Sequence, residues 1–130
     1  MRTTNKKTFK VVYNNKGQLV IKEVEAKKFD VLIIDDKIIN LYIHRDIINN
    51  KKWAITEEAS GRPLERNFKN TVEARKKYDE SIKDILIDFI KNKYKQYLMC
   101  VKRFNDILNN KNEDKTIYWQ FRIEQQYIKH

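Results

Sequence analysis

The sequence predicts an α+β fold: an antiparallel sheet of four to six strands packed with one long helix and a C-terminal aromatic strand. Three observations predict it. Turn signals in the first half are framed by extended, apolar-rich segments. From Tyr78 to Leu108 apolar residues recur every three or four positions, with no proline or glycine between them. Near the C-terminus Ile117, Trp119, Phe121 and Ile123 alternate with polar or amphipathic residues.

The strand-rich part is expected over residues 7–66. Phe9, Val11 and Tyr13 alternate ahead of Asn14-Asn15-Lys16-Gly17, a turn rich in residues that tolerate positive φ. Leu19 to Ala26 then resumes an extended pattern, which makes a first hairpin. Val31–Ile34 and Ile38–Ile43 flank Asp35-Asp36-Lys37 and make a second. Trp53–Thr56 is a further short strand. Ser60-Gly61-Arg62-Pro63 holds the only proline and one of the two glycines, and is a strong turn signal.

A long helix is expected over about 70–109. Asn70 can cap it, and Glu73 stands at the capping-box spacing. Nearly 40 residues far exceeds the usual helix of about 11–12, so either a break near Asn92 or one long helix reaching a partner is expected. Asn109 to Asp114 is a polar stop, and a strand over about 116–124 follows, with a short helix as its alternative. The 130 residues suit a single domain, 1–130.

Composition narrows the function classes. The longest apolar runs are four or five residues, against the roughly 20 that a membrane-spanning helix needs. The N-terminus is basic, but no apolar stretch of a secretory signal follows it. One cysteine, Cys100, precludes an intrachain disulfide and fits a small buried residue in a reducing cytoplasm. Two glycines cannot build a phosphate-cradling loop, and one cysteine with His44 and His130 does not supply a Cys/His zinc set. No cofactor, metal or membrane partner is expected.

The candidates for catalysis have plainer readings. Asp35-Asp36 reads as a solvated turn, His44-Arg45-Asp46 as surface at a strand end, and Glu57-Glu58 near Arg62 as a charged turn. The expectation is a protein that is not an enzyme.

Binding is better represented. Net charge is +10, spread over both halves, and favours phosphate backbones and acidic protein surfaces. Solubility alone is the simpler account. Lysine, isoleucine and asparagine, whose codons are AT-rich, supply 51 of the 130 residues, so lysine partly reflects coding bias. The clearest candidate is Lys91 to Arg103, where Lys91, Lys93, Lys95, Lys102 and Arg103 occur without an acidic residue and with Tyr94 and Tyr97 interleaved. On one continuous helix Lys91, Lys95 and Lys102 would share a face and could contact nucleic acid or an acidic protein groove. A second cluster comprises Arg62, Arg66, Lys69 and Arg75, with Lys76 and Lys77, at the turn and the helix start. Third, Tyr118, Trp119 and Phe121 are anchor-type residues, and an edge strand there could pair with a second copy.

Residues 41–75 resemble a pattern of small phage and plasmid proteins of low-GC bacteria. The matching pieces are Leu41-Tyr42-Ile43-His44, Trp53-Ala54-Ile55-Thr56, Ser60-Gly61 and Thr71-Val72-Glu73-Ala74. The resemblance implies a hairpin-plus-helix scaffold and no catalytic residues. Small proteins of such elements bind and disable one host machine, and anti-CRISPR inhibitors are the first class to consider. Many of those are acidic DNA mimics, from which a net charge of +10 departs. An acidic face of an RNA-guided effector nuclease, its guide RNA or its DNA is therefore the expected partner, in the host cytoplasm. The alternative is a nucleic-acid-binding accessory protein that uses the lysine-rich helix face.

Overall fold

The structure, a computed structural model, describes residues 6–109. The expected strand over 116–124, with Tyr118, Trp119 and Phe121, lies outside the described residues. Five strands form an antiparallel meander in the order β1 (Lys6–Asn15), β2 (Gln18–Ile34), β3 (Lys37–Arg45), β4 (Trp53–Glu57) and β5 (Arg62–Phe68). Both hairpin turns fall where the sequence put them. Lys16 and Gly17 hold φ of 54° and 89°, and Asp35 and Asp36 hold 50° and 70°. Two consecutive positive-φ residues give the turn whose twist suits a two-residue hairpin. The Asn14 carboxamide adds a bond, accepting from the Gly17 amide at 2.9 Å.

One expectation is corrected. Leu19–Ala26 and Val31–Ile34 are not separate strands but parts of one, β2. Lys27-Lys28-Phe29 contains none of the residues that make a tight turn, so the chain bends there instead. Phe29 is the extra residue of a bulge between the pairs Lys28↔Tyr42 and Asp30↔Leu41. The first half of β2 pairs with β1 and the second half with β3. The sheet curls as a result, and the two outermost strands meet: the Val12 amide donates to the Gly61 carbonyl at 2.8 Å.

The helical half starts as its capping residues dictate. Asn70 Oδ1 accepts from the Glu73 amide at 2.8 Å, and Glu73 Oε1 accepts from the Lys69 amide at 2.7 Å. Twenty-two residues follow in three sections: α1 (Thr71–Lys77), a π-helical turn (Tyr78–Ile82) and α2 (Lys83–Asn92). The buried residues Ala74, Tyr78, Ile82, Leu86 and Ile90 recur every four positions. In a straight α-helix such a row drifts about 40° per step, since each residue turns about 100°. The wider π turn takes up much of that drift and keeps the row on the sheet.

Of the two alternatives for the long helix, the structure takes the break. Lys93 leaves the helical region (φ −133°, ψ 41°), and α3 (Tyr94–Leu108) begins after it. The main core lies between one sheet face, with Leu32, Ile39, Leu41, Ile55 and Phe68, and the helices, with Tyr78, Leu86, Phe89 and Tyr97. A second cluster joins α3 to β1 through Val12, Cys100, Phe104 and Ile107. Cys100 is buried within it, as its sequence context suggested.

Candidate binding surface

α3 has two faces. Tyr97, Cys100, Phe104 and Ile107 face inward at spacings of three and four. Lys95, Leu98, Met99 and Lys102 lie on the outer side, with Leu98 45% and Met99 39% exposed. Within one α-helix these four form a single stripe. Lys102 also pairs with Asp106 at 3.0 Å.

The break at Lys93 corrects the expected lysine face. Lys91 belongs to the last turn of α2 and Lys93 is the break itself, so neither continues the helix that carries Lys95 and Lys102. Both are exposed, and Arg103 is half-buried. The interleaved tyrosines point to the core. Tyr97 donates to Glu57 at 2.9 Å, and Tyr94 is half-buried, stacked on Tyr97 at 5.7 Å between ring centres. The Lys37 ammonium covers the Tyr94 ring at 4.6 Å.

The arginines of this cluster make contacts within the molecule, Arg62 and Arg66 at least partly buried and Arg75 at the surface. Arg62 is fully buried at the start of β5, with Nη1 3.6 Å from Cys100 Sγ, so it is not presented on a turn as expected. Arg66 makes two bonds to Asp46, at 2.6 and 3.0 Å, and lies 4.5 Å over the Tyr13 ring. Arg75 stacks 3.9 Å over Phe29 and donates to the Phe29 carbonyl at 2.9 Å. Lys69, Lys76 and Lys77 are exposed. This region offers these three lysines and the exposed Arg75 to solvent.

Two buried carboxylates contradict the reading of their neighbourhoods as charged surface. Asp46 accepts from Tyr13 at 2.9 Å, from Arg66, and from the amides of Ile48 and Asn49. Burial alone would push its carboxyl up. The bonds from Arg66, the Asn49 amide and Tyr13, with the Arg66 charge, outweigh that and hold it below the usual range. Glu57 is 1% exposed and accepts from the amides of Ala59 and Ser60 and from Tyr97. Here burial wins and pushes the carboxyl up despite those bonds.

His44 is also buried. Its Nδ1 meets the Arg45 carbonyl at 2.7 Å, which requires the proton there, and its Nε2 accepts from Thr56 Oγ1 at 2.6 Å. Burial lowers its pKa, so the ring is neutral. Asp35 and Asp36 are exposed in their turn, as expected.

The sequence reading missed the Asp46–Arg66–Tyr13 network, the Glu57–Tyr97 bond and the stacking of Arg45 on Trp53 at 4.2 Å. One signal was available. Asp46 and Glu57 each precede irregular chain and accept from the amides two and three residues on, a short-range pattern typical of loop anchors.

Among the described residues no three His, Cys, Asp or Glu side chains gather as a metal site. None of the described helices is long and apolar enough to cross a membrane. No protein-family model, curated protein or solved structure matches the chain.

Proposed function

We propose that this chain is a non-catalytic binding protein whose α3 stripe docks on an acidic face of a host protein. The class that fits is an inhibitor, encoded by a phage or mobile element, of a host defence machine. An anti-CRISPR acting in the bacterial cytoplasm on an RNA-guided effector nuclease is the first candidate. One observation carries the reading: Lys95 and Lys102 flank exposed Leu98 and Met99 on one helix face. Exposed methionine and leucine inside a basic strip suit a protein interface, where apolar side chains are buried at the centre and charges lie at the rim. A phosphate backbone would use the lysines and leave the apolar pair without a partner. The engagement of Arg62 and Arg66 within the fold also favours a protein partner over a nucleic-acid one.

The test is a pull-down from a low-GC host carrying a type II CRISPR system, followed by target cleavage with excess protein. Loss of cleavage supports the anti-CRISPR reading, and unchanged cleavage removes it. The nucleic-acid alternative is tested by titrating generic duplex DNA and RNA against salt. Binding that weakens steeply with salt would replace the protein partner by a polyanion.

A further inference from the structure

We propose that the outer face of the β2–β3 ribbon joins two copies of this chain. Beyond the Phe29 bulge, β2 and β3 continue as a two-stranded ribbon to the turn at Asp35-Asp36. β4 pairs with β3 only from Leu41 onward, so residues 30–40 project past it. One ribbon face carries Leu32, Ile34 and Ile39 and is buried under the helices. The other carries Ile33 and Ile38, direct cross-strand partners that are 74% and 64% exposed, with Val31 beside them at 42%. β-Branched residues on both faces of a ribbon are what a strand pair covered on both sides requires, and only one side is covered among the described residues.

The charges around this face identify the occupant as a second copy. Exposed Asp35 and Asp36 stand at one end of the apolar patch. Lys28 stands at the other, bonded to Asn40 at 3.2 Å and lying over the Tyr42 ring on the same face. An isologous contact places each residue of one copy against the symmetry-related position of the other. Two ribbons packed antiparallel about a two-fold axis that passes beside Val31 therefore set the acidic turn of each against Lys28 of its partner, with Ile33 and Ile38 of each copy packing near Val31 of the other. The face is narrow compared with the ~1,200 Å² that stable interfaces bury. The dimer is accordingly weak, and this contact is separate from the α3 stripe and independent of what that stripe binds.

Sedimentation and light scattering of the purified full-length chain test this without any host component. The apparent mass should rise from 15.8 kDa toward twice that value between about 10 and 500 μM, a range set by micromolar affinity. Ile33→Lys with Ile38→Lys should hold the chain at monomer mass throughout, with unchanged circular dichroism because both positions are exposed. Lys28→Glu alone, and Asp35→Lys with Asp36→Asn, should each weaken self-association at least tenfold. Lysine tolerates the turn, since Lys16 holds φ 54° at the equivalent position of the first hairpin. Mixing these two variants should restore a dimer, because each mixed contact again pairs opposite charges. A wild-type chain that stays monomeric at about 1 mM, or a dimer indifferent to Ile33 and Ile38, would overturn the proposal. So would charge variants that fail to rescue one another.

Discussion

Gly61 lies directly beneath the ring of Phe104. A Cβ built on Gly61 would stand 2.3 Å from two of the ring carbons, and its φ is +66°. The glycine thus serves two needs at once. It turns the chain from β4 into β5, and it lets α3 close onto the seam where β1 meets β5. Gly61→Ala should cost about 1–2 kcal/mol in backbone strain and about 1–3 kcal/mol more from overpacking. In a Phe104→Ala background only the strain should remain. Urea denaturation of the four variants reads this as a cycle. Equal costs in both backgrounds would separate the glycine from the ring.

Arg66 and Asp46 form the second prediction. Asp46 is buried and shares its acceptors among Arg66, Tyr13 and two amides. Arg66→Ala strands that carboxylate and should cost about 3 kcal/mol. Arg66→Lys should recover only part, because an ammonium cannot reproduce the bidentate geometry. Adding Asp46→Asn to Arg66→Ala should lessen the loss by removing the stranded charge. A double variant as unstable as the sum of the singles would disprove the coupling.

The two buried carboxylates should also respond to pH in opposite senses. The Asp46 pKa is lowered, so its contribution is present above the unfolded value of about 3.9 and is lost as pH falls through the folded one. The Glu57 pKa is raised, so the folded state holds the proton more tightly than the unfolded chain. Stability from that site declines as pH rises from the unfolded value of about 4.3 through the folded value. Unfolding midpoints between pH 3 and 8 should therefore show the gap between wild type and Glu57→Gln shrinking as pH rises. The gap for Asp46→Asn should shrink as pH falls. Two gaps moving the same way would show that one of the two signs is wrong.

For α3, Lys95→Glu with Lys102→Glu should weaken partner binding at least tenfold, about 1.4 kcal/mol, and leave the thermal midpoint nearly unchanged. Leu98→Lys should do the same if the apolar pair sits at the interface centre. Lys69→Glu, placed near the helix start instead, should have little effect. Titration calorimetry with the captured partner measures all three. Binding insensitive to Lys95, Leu98 and Lys102 would move the interface elsewhere.

What was legible in the sequence is local chemistry. Asn15-Lys16-Gly17 and Asp35-Asp36 specify their turns because positive φ is a property of single residues. Asn70 and Glu73 mark the helix start because a capping box spans only a few positions. Length offered a break near Asn92 as one of two alternatives, and the structure takes it at Lys93. The bulge at Phe29 was not legible, since it reflects how β2 divides its length between two partners. Nor was the burial of Glu57, Asp46 and Arg62. A charged side chain enters a core only when distant groups receive it, and Tyr97 lies 40 residues from Glu57 while Arg66 lies 20 from Asp46. The lysine stripe was half legible: its residues were named, but a single helical period was carried across a break that reorients Lys91 and Lys93.

The seam between Val12 and Gly61 sets an order of events in time. Val12 lies in the first strand and Gly61 just ahead of the last, so the seam joins the two ends of the meander. The two hairpins close over two-residue turns, steps that take about 1–10 μs in isolated hairpins. The seam must also bear the loop-closure entropy of everything between its ends. It should then be the last join made as the chain folds and the first undone as it opens. The Val12 amide should exchange with deuterated water sooner than the hydrogen-bonded amides inside either hairpin, marking the line along which this sheet comes apart.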